Sequence, residues 1–194
     1  MNKRTQLRKK IRTLRRSLKP HQQKQAALNL LGNIRNRADF RNAKHIALYL
    51  PNDGEISPEP LIKLCWKLGK KVYLPVLHPV LHNRLWFIPY TPQSPMIRNI
   101  YGIKEPKLIP SLCRTAWSLN LVLLPLVAFD QNGNRMGMGG GYYDRTFSFK
   151  SLKKGINGPA LIGLAHDIQR VEELPVESWD IPLTSIVTDT KSYP

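Results

Sequence analysis

Apolar residues near the start of the chain recur with the period of an α-helix. One stripe, with spacings of four, three and four residues, consists of Leu7, Ile11, Leu14 and Leu18. This pattern predicts an amphipathic helix over about residues 2–18, which Pro20 ends. A second helix is predicted from there through Ile34. Because such a stripe is needed only where a helix packs on something, we expect the first helix to dock on the rest of the protein.

Short apolar runs bounded by proline, glycine and polar residues predict the strands of a sheet. The predicted strands are residues 45–50, 71–77, 85–90, 121–129, 160–165 and 185–188. Ser57 and Pro58 open a helix that runs to about Leu68 between the first two strands. This makes a β-α-β unit and favours a parallel sheet. Residues 91–118 are rich in proline and polar side chains and predict an irregular excursion.

The run over residues 121–129 (LVLLPLVAF) is hydrophobic enough for a central strand. A glycine-rich loop and a helix around residues 142–151 follow it. Together the elements predict an α/β fold with a mostly parallel open sheet and helices on both faces, a three-layer, Rossmann-like arrangement. We expect residues 1–194 to form one domain.

The composition is that of an ordinary globular protein. The 194 residues are 42% hydrophobic and 22% charged, which excludes the disordered and fibrous classes. No apolar run approaches the ~20 residues of a membrane span, so we expect no membrane association. Two cysteines, Cys65 and Cys113, are too few for a disulfide framework or a cysteine-only zinc site. They fit a cytoplasmic location.

The positive charge is concentrated at the start of the chain. Of a net charge of +17, residues 1–38 contribute twelve Lys and Arg side chains and no acid. Four interpretations of this basic arm stay open: a solvated helix, a nucleic-acid contact, a mitochondrial transit peptide, or a helix that helps to bind a small polyanion. A transit peptide is rich in serine, whereas Ser17 is the one serine of the arm.

A glycine-rich loop over residues 130–145 (DQNGNRMGMGGGYYDR) is the segment that most strongly indicates chemistry. Its glycines let backbone N–H groups approach a ligand closely, and a loop after a central strand is where open α/β sheets bind ligands. Arg135 and Arg145 flank the glycines and favour an anion such as phosphate. Neither the Walker A motif nor the dinucleotide fingerprint matches. A tight turn without a ligand is the alternative.

Several carboxylates and one histidine lie near the predicted ligand-binding edge. Asp144 closes the glycine loop and is either a Mg²⁺ ligand or a first-turn helix residue. Asp180 is a second metal candidate or a turn residue before proline, while Asp53 and Glu55 follow the first strand. His166 is interpreted as a satisfied loop histidine rather than a site residue. The chain has neither a G-x-S-x-G nor an H-E-x-x-H motif, which argues against those hydrolase classes.

Seven segments match one known family in order and spacing. They are RTQLR (4–8), YLPNDGEI (49–56), GIKEP (102–106), LPLVAFD (124–130), GNRMGMGGGYYDR (133–145), GLA (163–165) and LPVESWD (174–180). On these residues the sequence resembles the 5-formyltetrahydrofolate cyclo-ligase family, also called methenyltetrahydrofolate synthetase. The glycine segment with its trailing Tyr-Tyr-Asp is the most specific of them.

The resemblance implies a reaction and its co-substrates. ATP phosphorylates the formyl oxygen of 5-formyltetrahydrofolate, N10 of the same folate attacks the activated carbon, and ADP and phosphate leave with formation of 5,10-methenyltetrahydrofolate. It implies Mg²⁺ as cofactor, ATP as co-substrate and a cytoplasmic enzyme of one-carbon metabolism that we expect to be a monomer. The basic arm would attract ATP and the folate, including polyglutamylated forms. A nucleic-acid partner is disfavoured but stays open.

The resemblance also implies roles for individual residues. The implied ATP-binding residues are Arg4, Thr5, Gln6, Leu7, Arg8, Arg135, Met136, Gly137, Met138, Gly139, Gly140, Gly141, Tyr142 and Tyr143. The implied folate-binding residues are Leu50, Glu55, Tyr101, Met138, Gly139, Gly140, Gly141 and Tyr142. Glu55 would bond the amino and ring N–H groups of the pterin, and Tyr101 would stack on it. Tyr142 and Arg145 are the implied catalytic residues, and Asp144 and Asp180 the implied Mg²⁺ ligands.

Overall fold

A seven-stranded, mostly parallel open sheet forms the centre of the protein. The structure is a computed structural model that describes residues 2–152, 158–175, 177 and 179–194. Val176 and Ser178 of the 174–180 segment lie outside them. The strands are β1 (His45–Ala47), β2 (Lys71–Leu77), β3 (Leu85–Pro89), β4 (Met96–Arg98), β5 (Lys104–Pro106), β6 (Leu121–Pro125), β7 (Ala128–Phe129), β8 (Arg135–Met136), β9 (Ala160–Ala165), β10 (Ser185–Thr188) and β11 (Ser192–Tyr193). The large sheet has the order β11-β10-β9-β6-β1-β2-β3.

The edge strands β3 and β11 run antiparallel to their neighbours, and the other pairs in this sheet are parallel. The helices are α1 (Lys3–Arg16), α2 (Pro20–Arg35), α3 (Ala38–Asn42), α4 (Glu59–Lys67), α5 (Tyr142–Phe147) and α6 (Phe149–Leu152). The predicted fold class is therefore confirmed. None of the helices in the described part of the chain has the length and apolar character needed to cross a membrane.

The core lies on both faces of the sheet. Alternate residues of β6 point to opposite sides: Leu121 and Leu123 pack in the cluster that α2 and α4 cover. Val122 and Leu124 pack in the cluster that includes Phe147 of α5. Because β6 is buried on both faces, its sequence is a continuous apolar run, and its predicted central position is confirmed.

The predicted strand over residues 121–129 is too long, because the chain leaves the large sheet after β6. The carbonyls of Leu126 and Val127 accept hydrogen bonds from the side-chain amide of Gln169, at 2.8 and 2.9 Å. Leu126 O also accepts from Arg15 Nη1 at 3.2 Å. With these carbonyls bonded to side chains, residues 128–129 pair instead with β8 in a separate hairpin.

Three further predictions need correction. The predicted helix around residues 142–151 is two short helices, α5 and α6. The excursion over residues 91–118 contains the antiparallel pair of β4 and β5. In α1, the predicted stripe holds for Ile11, which is 4% exposed, but Leu14 is 42% exposed. Arg15 is fully buried there instead, because its guanidinium finds partners inside the protein.

Candidate active site

A large cleft lies beyond the carboxyl ends of the central parallel strands. Its volume is about 1140 Å³, and it is lined by α1, the segments that follow β1 and β6, the β4–β5 hairpin and the glycine loop. Single-ligand pockets have volumes of roughly 300–1,000 Å³. The cleft is therefore large enough for two small molecules side by side.

The glycine loop is shaped by backbone conformations that other residues rarely adopt. Gly139 has φ of 100° and Gly141 has φ of 66°. A Cβ atom at Gly141 would lie 2.7 Å from Arg145 Nη1, so even a small side chain would displace that guanidinium. The loop thus presents backbone to the cleft with little side-chain cover. Since α5 has six residues, its dipole is weak, and the loop N–H groups and nearby arginines supply most of the positive potential.

Helix α1 closes the cleft over the glycine loop. Arg8 Nε donates to the carbonyl of Gly137 at 2.9 Å, which fixes the guanidinium beside the glycines. One turn earlier, Arg4 Nη1 donates to the carbonyl of Pro175 at 3.1 Å. The apolar side of the same helix is anchored by Ile11. The predicted docking of the basic helix is therefore confirmed, and it points two arginines into the cleft.

The two predicted metal carboxylates lie on segments that contact each other. Asp144 Oδ1 accepts from Arg135 Nη2 at 2.5 Å and from the backbone N–H of Ile181, the neighbour of Asp180, at 3.3 Å. Asp180 Oδ2 accepts from Glu177 N at 3.0 Å and lies 3.6 Å from Arg4 Nη2. Within the described ranges, the second oxygen of each carboxylate has no hydrogen-bond donor.

This arrangement fits Mg²⁺, which proteins hold through one or two carboxylates together with substrate phosphates. No cluster of three or more His, Cys, Asp or Glu side chains that could hold a metal ion occurs in the residues that the structure describes. A dedicated all-protein cage is thus missing from that part of the chain, and Asp144 and Asp180 line the cleft as two carboxylates of the kind that hold Mg²⁺ together with phosphates. Arg135, whose side chain is 6% exposed, balances the charge of Asp144.

Glu55 is a largely buried carboxyl at the other side of the cleft. Its Oε2 accepts from Asn52 N at 3.0 Å, and its side chain is 14% exposed. Burial raises the pKa of Glu55 to about 7, although the Asn52 N–H and the Arg15 guanidinium oppose the shift. The carboxyl therefore changes its charge near neutral pH.

A partly buried ion-pair network around Asp53 holds the loop after β1 against α1. Asp53 accepts from Arg12 at 2.7 Å and from Arg15 at 2.8 Å, and it also pairs with Arg16. Burial acts to raise the pKa of Asp53, but the hydrogen bonds from Arg12 and Arg16 outweigh it and the pKa is lowered. Neither the partners of Asp53 nor the burial of Arg15 was predicted from the sequence. Arg15 lies four residues after Ile11, on the same helix face, and this spacing was the one available indication that it is buried.

Two tyrosines meet across the mouth of the cleft. The hydroxyls of Tyr101, from the β4–β5 connection, and Tyr142, from the start of α5, are 2.7 Å apart. Burial and the Tyr101 hydrogen bond raise the pKa of Tyr142 to about 12, so this phenol stays protonated at neutral pH. Arg145 Nη1 donates to the carbonyl of Gly140 at 2.6 Å. The two implied catalytic residues thus lie beside the glycine loop.

Most of the residues singled out in the sequence line this one cleft. Those that do are Arg4, Arg8, Leu50, Glu55, Tyr101, Arg135, Gly137, Met138, Gly139, Gly140, Gly141, Tyr142, Tyr143, Asp144, Arg145 and Asp180. Four others do not. Leu7 and Met136 belong to the apolar cluster under α1, and Thr5 and Gln6 are exposed. The lining residues Arg84, Lys104 and Trp179 were not predicted as site residues. Lys104 and Trp179 lie in segments that match the family but had no implied role, and Arg84 lies in none of these segments.

His166 differs from its prediction. It is 2% exposed and lies outside the cleft lining. Its Nε2 has no hydrogen-bond partner within the described residues, so the interpretation as a satisfied histidine is wrong for that atom. Burial lowers its pKa, which keeps the ring neutral at physiological pH.

Comparison with known sequences decides the family. The 5-formyltetrahydrofolate cyclo-ligase family model matches residues 1–189. The chain belongs to this family. The 5-formyltetrahydrofolate cyclo-ligase of Haemophilus influenzae is 46% identical to it over 185 residues, which cover 95% of this chain and 97% of the relative. The Escherichia coli cyclo-ligase is 43% identical, over 94% of this chain and 98% of that protein.

A solved structure supports the same cyclo-ligase assignment. The chain is similar to the NMR structure of the Aquifex aeolicus 5,10-methenyltetrahydrofolate synthetase, with a TM-score of 0.80 and 29% identity. The match covers 98% of this chain and 91% of that one. The predicted family and the predicted enzyme class, a ligase of folate one-carbon metabolism, are therefore confirmed, and membership in the family implies the use of ATP.

Proposed function

We propose that the cleft binds ATP and 5-formyltetrahydrofolate together and cyclises the folate to 5,10-methenyltetrahydrofolate. The observation that carries this proposal is the convergence of Arg8, the glycine loop and Glu55 on one cavity of about 1140 Å³. One side of that cavity offers cations and backbone N–H groups, and the other offers a titratable carboxyl among apolar side chains. This polarity matches a triphosphate at one side and a pterin at the other.

The ATP triphosphate is proposed to lie against the glycine loop. Arg8 is held there by the Gly137 carbonyl, and Arg135 is buried beside Asp144. The Nε of Arg135 is buried and has no partner within the described part of the chain. A ligand oxygen would satisfy it. Arginines that are already ordered lose little entropy when they bind an anion, which makes them effective phosphate contacts.

The pterin of the folate is proposed to lie between Glu55 and Tyr101. The ionised Glu55 carboxylate accepts hydrogen bonds from the amino and ring N–H groups of the pterin, which are both donors. Leu50 lines the cleft close to it. Tyr101 is 58% exposed, so its ring has a free face on which a flat heterocycle can stack.

The chemistry requires activation of a poor electrophile. Phosphoryl transfer from ATP to the formyl oxygen turns that oxygen into a leaving group. N10 then attacks the formyl carbon and loses its proton, and departure of phosphate leaves the methenyl bridge. Such reactions depend mainly on positioning and charge neutralisation. We assign that role to Arg145 and to Tyr142, whose protonated hydroxyl is a hydrogen-bond donor.

Asp144 and Asp180 are the residues that would hold Mg²⁺. When bound there, the ion would neutralise phosphate charge and orient the triphosphate. Arg135 and Arg4 each contact one oxygen of these carboxylates, and the other oxygen has no donor among the described residues. We further propose that the enzyme acts as a single-domain monomer in the cytoplasm, where its two free cysteines fit the reducing environment.

A direct assay tests the proposed function. Protein, 5-formyltetrahydrofolate, ATP and Mg²⁺ are mixed, and the methenyl product is followed by its absorbance while ADP is quantified. We expect one ADP per product and no turnover without ATP or in excess chelator. Product formation at the same rate in chelator contradicts the role of Mg²⁺, and ADP release without a folate requirement contradicts the proposed substrate.

The Glu55 carboxyl predicts a pH dependence of folate binding. Because its pKa is about 7, the fraction of accepting carboxylate rises as the pH increases from 6 to 8. We expect kcat/KM for the folate to increase through that range and the KM for ATP to stay nearly constant. The Glu55→Gln variant should have a low, pH-independent folate kcat/KM, since an amide offers a donor where an acceptor is needed. If the variant shows the pH profile of the wild type, Glu55 does not bind the folate.

A further inference from the structure

A second group of cations lines the cleft at the edge of the sheet formed by β2 and β3. Arg84 lies at the end of the β2–β3 connection, and Lys104 begins β5. Helix α1, which carries the arginines of the proposed ATP site, instead contacts the short turn after β9 on the other side of β6. The cleft thus has cations on its β2–β3 side as well as on its α1 side.

Three contacts bring this second group of cations together. Leu77 at the end of β2 donates its N–H to Glu105 Oε2 at 3.4 Å, which places Lys104 near the sheet edge. Leu77 is paired in register with Leu85, the neighbour of Arg84. Leu85 N in turn donates to the Thr146 hydroxyl at 2.9 Å, next to Arg145 of α5. Arg84 and Lys104 are therefore fixed on one rim by the fold, although they are 20 residues apart in the sequence.

The acidic side chains of the cleft all have other partners. Asp53 is bound by arginines of α1, Asp144 by Arg135, and both Asp180 and Glu177 by Arg4. Glu55 accepts from Asn52 N and lies 3.8 Å from Arg15 Nη2. Glu105 accepts from Leu77 N and from Asn99 Nδ2, so these neutral donors hold its carboxylate. Across the residues that the structure describes, neither Arg84 nor Lys104 forms an ion pair. Two unpaired cations on a cleft rim attract an anionic ligand.

From this geometry we infer that Arg84 and Lys104 bind the carboxylates of the glutamate tail of the folate. The inference rests on the proposed function. With the triphosphate at the α1 side, the glutamate tail is the remaining anionic group of the two substrates. Leu77, Leu85 and Ile103 line the cleft beside the two cations and offer an apolar surface for the aminobenzoyl ring that joins pterin to glutamate. Each added glutamate brings a further negative charge, so the rim favours longer tails.

The test compares three substrates that differ only in the tail: 5-formyltetrahydropteroate, which has no glutamate, the monoglutamate and the triglutamate. The double variant Arg84→Gln/Lys104→Gln is compared with wild type. The control is Lys107→Gln, because Lys107 is exposed next to β5 but does not line the cleft. KM, kcat and the salt dependence of KM are measured for each combination of protein and substrate. The affinity of each protein for the triglutamate is measured by calorimetry.

We expect the double variant to raise KM about 5-fold for the monoglutamate and about 10-fold for the triglutamate, on the scale of two partly exposed charge contacts. KM for the pteroate and every kcat should change less than about twofold, as should all values for Lys107→Gln. The wild-type preference for the triglutamate should shrink with added salt. Equal changes for all three substrates, or no change, would overturn the inference. If wild type makes no methenyl product, the proposed reaction fails, and the calorimetric comparison of the triglutamate still decides whether the rim binds the tail.

Discussion

Replacing Asp144 by Asn should lower kcat about 100-fold, the scale of losing one electrostatic contact to the transferring group. The substitution keeps the size of the side chain but removes the charge that balances the nearly buried Arg135. It also weakens the acceptor for Ile181 N, so that the glycine loop and the segment around Asp180 lose a common contact. The predicted loss of kcat therefore has two causes, a changed metal site and a less ordered glycine loop.

Asp180→Asn is the matched comparison for this experiment. Asp180 lies 3.6 Å from Arg4 Nη2, a longer contact than the one between Asp144 and Arg135, and water can replace a single Mg²⁺ ligand. We expect this variant to need more Mg²⁺ but to recover most of its kcat at saturating metal. The measurement is a Mg²⁺ titration of initial rates, after thermal melts show that both proteins are folded. If Asp144→Asn keeps the wild-type kcat at ordinary Mg²⁺ concentrations, Asp144 is a first-turn helix residue and not a metal ligand.

The largest expected loss of stability follows from Asp53→Asn. Arg15 is fully buried, and Asp53 is its closest carboxylate at 2.8 Å, while Glu55 lies 3.8 Å away. Asn preserves the positive φ of 55° at this position, so the change removes charge with little effect on the backbone. Leaving a buried guanidinium without its counter-charge costs about 3–5 kcal/mol of unfolding free energy. Urea unfolding at pH 7 measures the difference.

Arg16→Gln provides the control, because Arg16 pairs with the same carboxylate but its side chain is 52% exposed. We expect it to cost less than about 1 kcal/mol. The lowered pKa of Asp53 adds a pH test. Its stabilising contribution is complete above the unfolded-state value of about 3.9 and is lost as the pH falls through the lower folded-state value. Wild type should therefore lose its advantage over Asp53→Asn in acid, and equal stability of the two at pH 7 would contradict the network.

The sequence predicts well those features that depend on local pattern. β2 has the predicted bounds, residues 71–77, because its apolar run is buried between two neighbouring strands. The glycine loop was found because several adjacent glycines have few uses besides a close backbone approach. The side chains around the glycine loop could not be predicted without the fold, because Arg8, which bonds to Gly137, lies 129 residues earlier in the sequence.

Features that depend on distant partners could not be predicted. The strand ends at Pro125 because Gln169 and Arg15 bind the next carbonyls, and no pattern within residues 121–129 records those donors. Arg84 lies outside the matching segments and Lys104 has no implied role within its own, and the Leu77 and Leu85 contacts are needed to place both residues on one rim. The burial of Arg15 could not be predicted, because the helical pattern was identified from apolar residues alone. A charged guanidinium is normally exposed unless it finds partners inside the protein.

The docking of α1 over the glycine loop has a consequence for how the protein is made. Two partners of α1 lie far along the chain, Gly137 at 129 residues from Arg8 and Pro175 at 171 residues from Arg4. At a synthesis rate of roughly 5–20 residues per second, α1 waits on the order of ten seconds for those segments. During that time Arg4 and Arg8 lack these acceptors, although Asp53, the partner of Arg12 and Arg15, is synthesised much earlier. The central strands β1, β2 and β6 also precede both segments, so we expect ATP-binding competence to be acquired late in folding, when α1 docks on the glycine loop.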